Sequence, residues 1–195
     1  ETSRDCRRRR ERRRVAVRLG HRVGARELIE DGYERVVLAT GVRPRAPEIP
    51  GFDHPKVVSY IDCIEQRRPI GKRVAIVGAG GIGFDVAELL THSDHSGGSE
   101  IEHYRREWGI DFDFERRGGL LVEGAKSSSP REVWLLQRKT SRVGAGLSRT
   151  TGWAKRLLLT RRGVKMVPGV TYARIDDAGL HVHIDGRAQV LPVDT

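Results

Sequence analysis

The stretch RVAIVGAGGIGFDVAELL, residues 73–90, decides the fold. Its first five residues form a short apolar run typical of a buried strand, and the apolar spacing of residues 84–90 is helical. Between them lies Gly78-Ala79-Gly80-Gly81-Ile82-Gly83, a GxGxxG pattern in the strand, turn and helix order that a dinucleotide-binding turn requires. We therefore predict an α/β fold of the Rossmann type, with a parallel sheet and helices.

Each glycine of this turn has a specific expected role. Gly78 permits the tight turn, Gly80 lets the backbone approach a pyrophosphate, and Gly83 allows the helix to pack close to the strand. The helix N-terminus offers unpaired N–H groups and a positive dipole end to phosphates. We predict that all six residues, Gly78 to Gly83, bind a cofactor; the alternative is a glycine turn without a ligand.

The regular pattern is interrupted after residue 91 and then resumes. Residues of about 92–130 are rich in serine, glycine and charges, which predicts an inserted surface excursion. Further along, alternation with period two indicates an antiparallel three-stranded meander. The elements predicted after the insertion are a strand at 132–137, a helix at 151–162 capped by Thr150 or Thr151, a strand at 164–168, and meander strands at 171–175, 180–184 and 188–191.

Residues 1–71 are predicted to be a partial segment of another domain followed by a linker, and residues 72–195 to be the Rossmann domain. The chain opens within a helical pattern, followed by predicted strands at 15–19 and 35–41 and a proline-rich loop. A strand pattern begins at the last residues. We therefore expect both ends to be cut.

Composition excludes several classes of protein. The chain is 37% hydrophobic and 32% charged, and it contains no run of the roughly 20 apolar residues that a membrane helix needs. Its two cysteines, Cys6 and Cys63, give neither a disulfide framework nor a metal set. We expect a cytoplasmic protein that binds no membrane.

Positive charge is concentrated at the start of the chain. Residues 1–30 hold eleven arginines against five acidic residues, in a chain of net charge +10. The arginine run, Arg7 to Arg10 and Arg12 to Arg14, is interpreted as a solvated helix face. We predict no nucleic-acid partner because no aromatic residue is interleaved to stack on bases. A binding arm for nucleic acid or an acidic partner is the alternative.

The end of the second predicted strand indicates which nucleotide binds. An NAD site normally places Asp or Glu there, whereas this chain has Gln137-Arg138-Lys139, with Arg142 and Arg149 soon after. Cations favour a 2′-phosphate. We predict that Arg138, Lys139 and Arg149 bind NADPH, the alternative being ordinary solvated charges.

Other candidate sites are weaker. His92, His95 and His103 fall in the polar insertion and are interpreted as incidental surface histidines, so no metal site is predicted. Asp111, Asp113 and Glu115 fit an edge strand or loop better than a calcium site. We predict no catalytic side chain in this chain, because hydride transfer between cofactors needs position and electrostatics rather than an acid or base.

The sequence resembles the bacterial NADPH-dependent 2,4-dienoyl-CoA reductases and their old-yellow-enzyme-like relatives, which carry a C-terminal FAD and NADPH module. The resembling stretches occur in family order across nearly the whole chain. They are Val36 to Arg45, His54 to Val57, Gly71 to Val74 continuing to Asp85, Glu107 to Asp111, Gly118 to Leu120, Leu136 to Lys139, Thr150 to Trp153 and Arg162 to Met166.

The resemblance implies an enzyme of fatty acid beta-oxidation in which NADPH reduces FAD, a 4Fe-4S cluster passes single electrons to FMN, and FMN reduces a dienoyl-CoA thioester. This chain corresponds to the middle of the C-terminal module, so residues 1–71 would be part of the FAD-binding domain. FMN and 4Fe-4S are implied only for the missing N-terminal part, and the chain alone is expected to be inactive.

Ala39-Thr40-Gly41 matches the family's second FAD-contacting turn, a role that requires the rest of that domain. Two alternatives stay open for the whole protein. One is another flavin oxidoreductase with the same module, such as an enoate reductase or amine dehydrogenase relative. The other is a noncatalytic module that binds nucleotides or nucleic acid.

Overall fold

The computed structural model describes residues 2–13, 15–92, 100–121 and 129–195. The chain divides into two compact units, Glu1–Arg45 and Ala46–Thr195. No helix in the described ranges is both long and apolar enough to cross a membrane.

The first unit contains two helices and irregular backbone. Helix α1 spans Thr2–Arg12, as the opening pattern predicts, and α2 spans Ala25–Glu30. The strands predicted at 15–19 and 35–41 were wrong, because both segments are irregular and exposed, with Val37 at 87% exposure. A strand is stable only with a hydrogen-bonded neighbour, and the described part of this unit contains no strand that could pair with either segment.

The second unit is built around a parallel sheet. After α3 (Tyr60–Ile64), it contains, in chain order, β1 (Arg73–Val77), α4 (Gly81–Thr91), α5 (Glu100–Trp108), β2 (Glu132–Leu136), α6 (Gly152–Arg161) and β3 (Lys165–Val167). The strands lie in the order β1-β2-β3, all parallel, with Val74 opposite Val133 and Leu135 opposite Met166. This confirms the predicted strand and helix succession. Thr151 is the N-cap of α6, but its side chain makes no capping hydrogen bond.

A separate antiparallel sheet follows, as predicted. Strands β4 (Thr171–Asp176), β5 (Gly179–Ile184) and β6 (Arg187–Leu191) pair in sequence order. The chain then returns to the parallel sheet: the backbone N–H groups of Asp194 and Thr195 both donate to Arg73 O, and Ala75 N–H donates to Thr195 O. The last residues therefore extend along the edge of β1 that β2 leaves free.

The core lies on both faces of β2. Val133 and Leu135 pack with Phe84 of α4 in one cluster, whereas Trp134 and Leu136 pack with residues of the meander in a second cluster. Alternate residues of one strand thus enter two cores, which is expected for a central parallel strand. The position of β2 is fixed from both sides, and with it the loop that leaves its carboxyl end.

The predicted insertion is partly regular in structure. Arg162, at 7% exposure, forms two hydrogen bonds with the Glu107 carboxylate, 2.7 Å from Nε to Oε1 and 3.1 Å from Nη2 to Oε2. This ion pair attaches the end of α5 to the end of α6. Parts of the insertion, residues 93–99 and 122–128, lie outside the described residues.

Candidate nucleotide-binding site

The glycine turn connects β1 to α4 through a conformation that requires glycine at its first position. Gly78 has φ +119°, a region that residues with a side chain rarely adopt, and its N–H donates to Leu136 O at 3.0 Å. The turn is therefore attached to the carboxyl end of β2. Gly80 is the N-cap of α4, and Phe84 N–H donates to its carbonyl at 3.1 Å.

Gly83 is the position of closest packing. A Cβ atom there would lie 1.9 Å from Gly78 O and 3.4 Å from the side chain of Leu135. Only a residue without a side chain allows α4 to lie this close to the turn and to β2. This geometry is the one expected of the last glycine in a dinucleotide fingerprint.

The space in front of the helix is open. A Cβ atom at Gly80 or Gly81 would meet no other atom within 4 Å, and Ile82 is 46% exposed. The first N–H groups of an α-helix have no partner within the helix and point out of its N-terminus. An open cradle of backbone donors at the positive end of an eleven-residue helix fits a pyrophosphate.

The basic segment predicted to select the nucleotide lies at the same edge of the sheet. Because β1 and β2 are parallel and in register, their carboxyl ends are adjacent, with Val77 opposite Leu136. Arg138 and Lys139 follow β2 after Gln137 and are exposed. The structure thus brings these two cations to the edge that holds the glycine turn.

The side chain of Gln137 contacts this segment, an interaction that the sequence analysis did not assign. Its Nε2 donates to Lys139 O at 3.0 Å and to Ser141 O at 2.8 Å. Lys139 O also accepts from Gly169 N–H at 3.0 Å. The only signal in the sequence is a neutral amide where an acidic residue is usual.

Helix α6 begins at this edge as well, because it runs back antiparallel to the strands between β2 and β3. Arg149 is exposed in the preceding loop. This loop packs on α4, since Gly144 lies against the Phe84 ring, and Arg156 Nη1 donates to Gly144 O at 3.0 Å. The indole N–H of Trp153 donates to Thr150 O at 3.0 Å, which fixes an aromatic ring that is 58% exposed.

Tyr172 of β4 lies within electrostatic range of the basic segment. Burial raises the pKa of Tyr172 to about 12, and the positive charge of Arg138 acts on this pKa in the opposite direction. The phenol therefore stays protonated at neutral pH. It offers Arg138 a neutral neighbour.

The other predicted cofactor residues belong to the first unit. Ala39, Thr40 and Gly41 are exposed in irregular backbone, and Gly41 has φ +73°. The positive φ agrees with a turn at this position. Their contact with FAD stays a prediction.

The polar insertion contains a structured loop around a buried carboxylate. Asp111, at 5% exposure, accepts backbone N–H groups of Arg116 at 2.8 Å and Asp113 at 3.0 Å. The hydrogen bond from Arg116 N–H, with the one from Asp113, lowers the pKa of this carboxyl. Asp111 thus shapes the loop.

Among the described residues no group of three His, Cys, Asp or Glu could hold a metal, and His95 lies outside them.

Comparisons with known proteins identify the family and the fold of the chain. The family model described as pyridine nucleotide-disulphide oxidoreductase matches residues 6–195. A solved 2-naphthoyl-CoA reductase complex superposes with a TM-score of 0.61 at 18% identity, covering 95% of this chain and 23% of that chain. The likeness confirms the predicted α/β fold with its separate antiparallel sheet.

Three of the curated relatives are reductases with different names. A metal reductase of Desulforamulus reducens is 29% identical over 85% of this chain and 24% of its own length. A mercuric reductase of Bacillus cereus is 24% identical over 83% of this chain and 20% of its own. A cinnamate reductase of Clostridium sporogenes is 36% identical over 39% of this chain and 11% of its own.

The chain therefore spans about a quarter or less of the length of the relatives just named. The match to the family model extends over nearly all residues of the chain, from within the first helix to the last residue, Thr195. This chain belongs to the pyridine nucleotide-disulphide oxidoreductase family, as an FAD/NAD(P)-binding module.

Proposed function

We propose that this chain is the NADPH-binding part of a larger flavin oxidoreductase resembling 2,4-dienoyl-CoA reductase, in which NADPH reduces FAD. The choice of NADPH rests mainly on one observation. Two exposed cations, Arg138 and Lys139, follow the end of β2 after one residue, Gln137, at the edge where Gly78 turns into α4.

The charge at this edge decides between the two nicotinamide nucleotides. NAD presents a ribose 2′-hydroxyl, which an acidic side chain at the end of the second strand accepts, whereas NADP presents a 2′-phosphate. A guanidinium and an ammonium attract the phosphate and offer the hydroxyl no acceptor. The competing interpretation is that Arg138 and Lys139 are solvated surface charges. Titration with NADP and NAD separates the two interpretations.

The residues of this chain would bind and orient the cofactors. The backbone at Gly80 and Gly81 would hold the pyrophosphate, and Arg138, Lys139 and Arg149 the 2′-phosphate. When bound, NADPH supplies a hydride to the flavin, a transfer that needs no side chain as acid or base. FAD would contact Ala39-Thr40-Gly41 together with the rest of its domain, while FMN and the 4Fe-4S cluster would belong to other parts of the enzyme.

The dienoyl-CoA substrate is the part of the proposal that rests on the resemblance alone. Stretches such as Glu107 to Asp111 and Thr150 to Trp153 support it, and the relatives' names, which include metal, mercuric and cinnamate reductases, leave the substrate open. The alternative is the same module in an enoate reductase or amine dehydrogenase relative. We also propose a cytoplasmic location, since free thiols such as Cys6 and Cys63 are typical of a reducing compartment.

Calorimetric titration of the chain with NADP and NAD tests the nucleotide assignment. We expect tighter binding of NADP, and Arg138→Ala should weaken NADP about ten- to a hundredfold while leaving NAD nearly unchanged. Arg187→Ala is the matched control, since this arginine is exposed on β6 in the other sheet.

A second variant tests the shared part of the site. Gly80→Asp should weaken both nucleotides, because it places a carboxylate where the pyrophosphate would lie, and the open space at Gly80 allows the chain to fold normally. Equal affinity of the unmodified chain for NAD and NADP would contradict the NADPH assignment. Salt-dependent retention on DNA without nucleotide binding would favour the nucleic-acid alternative.

The substrate requires the full enzyme. NADPH oxidation by the full-length protein should depend on a dienoyl-CoA thioester. Oxidation that responds instead to a free enoate or an amine would identify the alternative enzyme.

A further inference from the structure

We infer that Gln137 is a positioning residue that sets nucleotide specificity: its carboxamide holds the backbone of residues 138–141 in the shape that presents Arg138 and Lys139 to a 2′-phosphate. The inference rests on the proposed NADPH function and deepens it. It assigns the choice of nucleotide to a neutral residue beside the two cations.

The backbone of Gln137 is fixed from the neighbouring strand. Its N–H donates to Val167 O at 2.9 Å, and its carbonyl accepts Val170 N–H at 2.9 Å. The first bond continues the pairing of β2 with β3 by one residue, and the second joins Gln137 to the residue just before β4. These backbone hydrogen bonds therefore fix the position from which the Gln137 side chain extends.

From this fixed point the carboxamide reaches the following loop. Nε2 donates to two carbonyls, those of Lys139 and Ser141, at 3.0 and 2.8 Å. Both amide protons of Gln137 thus have acceptors within the segment that carries the cations.

The far side of the segment is attached to the connection between β3 and β4. Gly169 N–H donates to Lys139 O at 3.0 Å, so this carbonyl accepts two hydrogen bonds. Gly169 has φ +69°, a conformation that glycine adopts without strain. The backbone at residue 139 is held while the side chains of Arg138 and Lys139 remain exposed. A loop ordered before binding loses less conformational entropy when the ligand arrives.

A carboxylate at this position could not perform the same role. Glutamate has the shape of glutamine but only acceptor oxygens, which would face the carbonyls of Lys139 and Ser141 without a donor. The loop would open, and the carboxylate would be available to accept from a ribose 2′-hydroxyl while repelling a 2′-phosphate. The amide nitrogen of Gln137 therefore orders the segment that carries the cations, and the neutral carboxamide adds no negative charge that would repel a 2′-phosphate.

The test is calorimetric titration of the chain and three variants with NADP and NAD. Gln137→Leu removes the donors without adding an acceptor, and we expect the Kd for NADP to rise about tenfold while that for NAD stays the same. Gln137→Glu, which keeps the shape, should weaken NADP further and tighten NAD. Gln189→Glu is the matched control, because Gln189 is exposed on β6 and the substitution makes the same change of charge.

Amide hydrogen exchange provides a readout that is independent of the nucleotide. Both Gln137 variants should speed exchange in residues 139–141 and leave β1 unchanged. An equal loss of affinity for the two nucleotides, or an unchanged NADP to NAD ratio in Gln137→Leu and Gln137→Glu, would overturn the role of Gln137 and leave the proposed function intact. An unmodified chain that does not prefer NADP would overturn both.

Discussion

Two apolar runs of nearly the same composition have different structures in this chain. RVVLATG, residues 35–41, and RVAIVG, residues 73–78, both end in a glycine with positive φ. The second is β1, paired along its length with β2, whereas the first is irregular and its Leu38 is 83% exposed. The difference shows that an apolar run predicts a strand only where a neighbouring strand is also present.

The largest expected difference between the two runs concerns cofactor binding. We predict that the purified chain carries no stable FAD, because one turn at Gly41, in a unit whose described residues form no sheet, cannot replace a phosphate-binding βαβ unit. The measurement is the visible absorption spectrum of the chain. A stoichiometric yellow flavin spectrum would contradict the prediction.

Amide hydrogen exchange sharpens the comparison residue by residue. We expect the amides of residues 36–40 to exchange close to the rate of an unfolded peptide, whereas those of β1 and β2 should be protected at least about a thousandfold. The exposed backbone of the first run has no ladder to protect it. Comparable protection in the two runs would show that residues 36–40 find a partner in solution.

The sequence predicted the second unit well because its elements are close in sequence and its strands pair with one another. The GxGxxG turn, the run at β2 and the period-two meander each carry a local pattern, and a right-handed strand, helix and strand connection leaves little choice of topology. The first unit was predicted less well because its described residues contain no partner strand for either strand pattern. Apolar periodicity gives no information on whether those partners exist.

The candidate site was likewise predictable only where a local sequence pattern carries the information. Gly78, Gly80 and Gly83 have backbone roles that a pattern expresses, and the positions of Arg138 and Lys139 follow from the end of a strand. Gln137 was not found, because its role depends on two loop carbonyls and on Gly169, and these meet only when β3 lies beside β2. The ion pair of Arg162 with Glu107 was missed for the same reason, since 55 residues separate its partners.

A substitution at the glycine turn tests how strongly the second run depends on its packing. Gly83→Ala should lower the free energy of unfolding by about 1–3 kcal/mol or more, because the new Cβ would lie 1.9 Å from Gly78 O. Gly81→Ala is the matched control, in open space at the start of the same helix, and should change stability by less than about 1 kcal/mol. Thermal unfolding measures both. Equal effects would show that α4 can move away from β1 without cost.

The smallest expected effect is a pH dependence confined to the second unit. Hydrogen bonds from the Arg73 side chain and backbone N–H to the Asp194 carboxylate lower the pKa of Asp194 to about 2. Those from His181 and Arg174 lower the pKa of Asp176 to about 2. The unfolded value is about 3.9, so each carboxylate stabilises the fold fully above that pH, and the contribution is lost as the pH falls through about 2.

The free energy of unfolding of the unmodified chain should fall as the pH drops from about 4 to about 2. Asp194→Asn should make this slope shallower by at most the amount that one titrating proton contributes. The change should be modest because the side chain is 34% exposed. Denaturant unfolding of the two proteins across this range measures it. Asp53→Asn, at an exposed turn, is the control.

Because Asp194 joins the last residues to β1, loss of its charge acts on the strand that carries the glycine turn, and the first run should be unaffected. Parallel slopes for the two proteins would show that the contact with Arg73 contributes nothing to the fold.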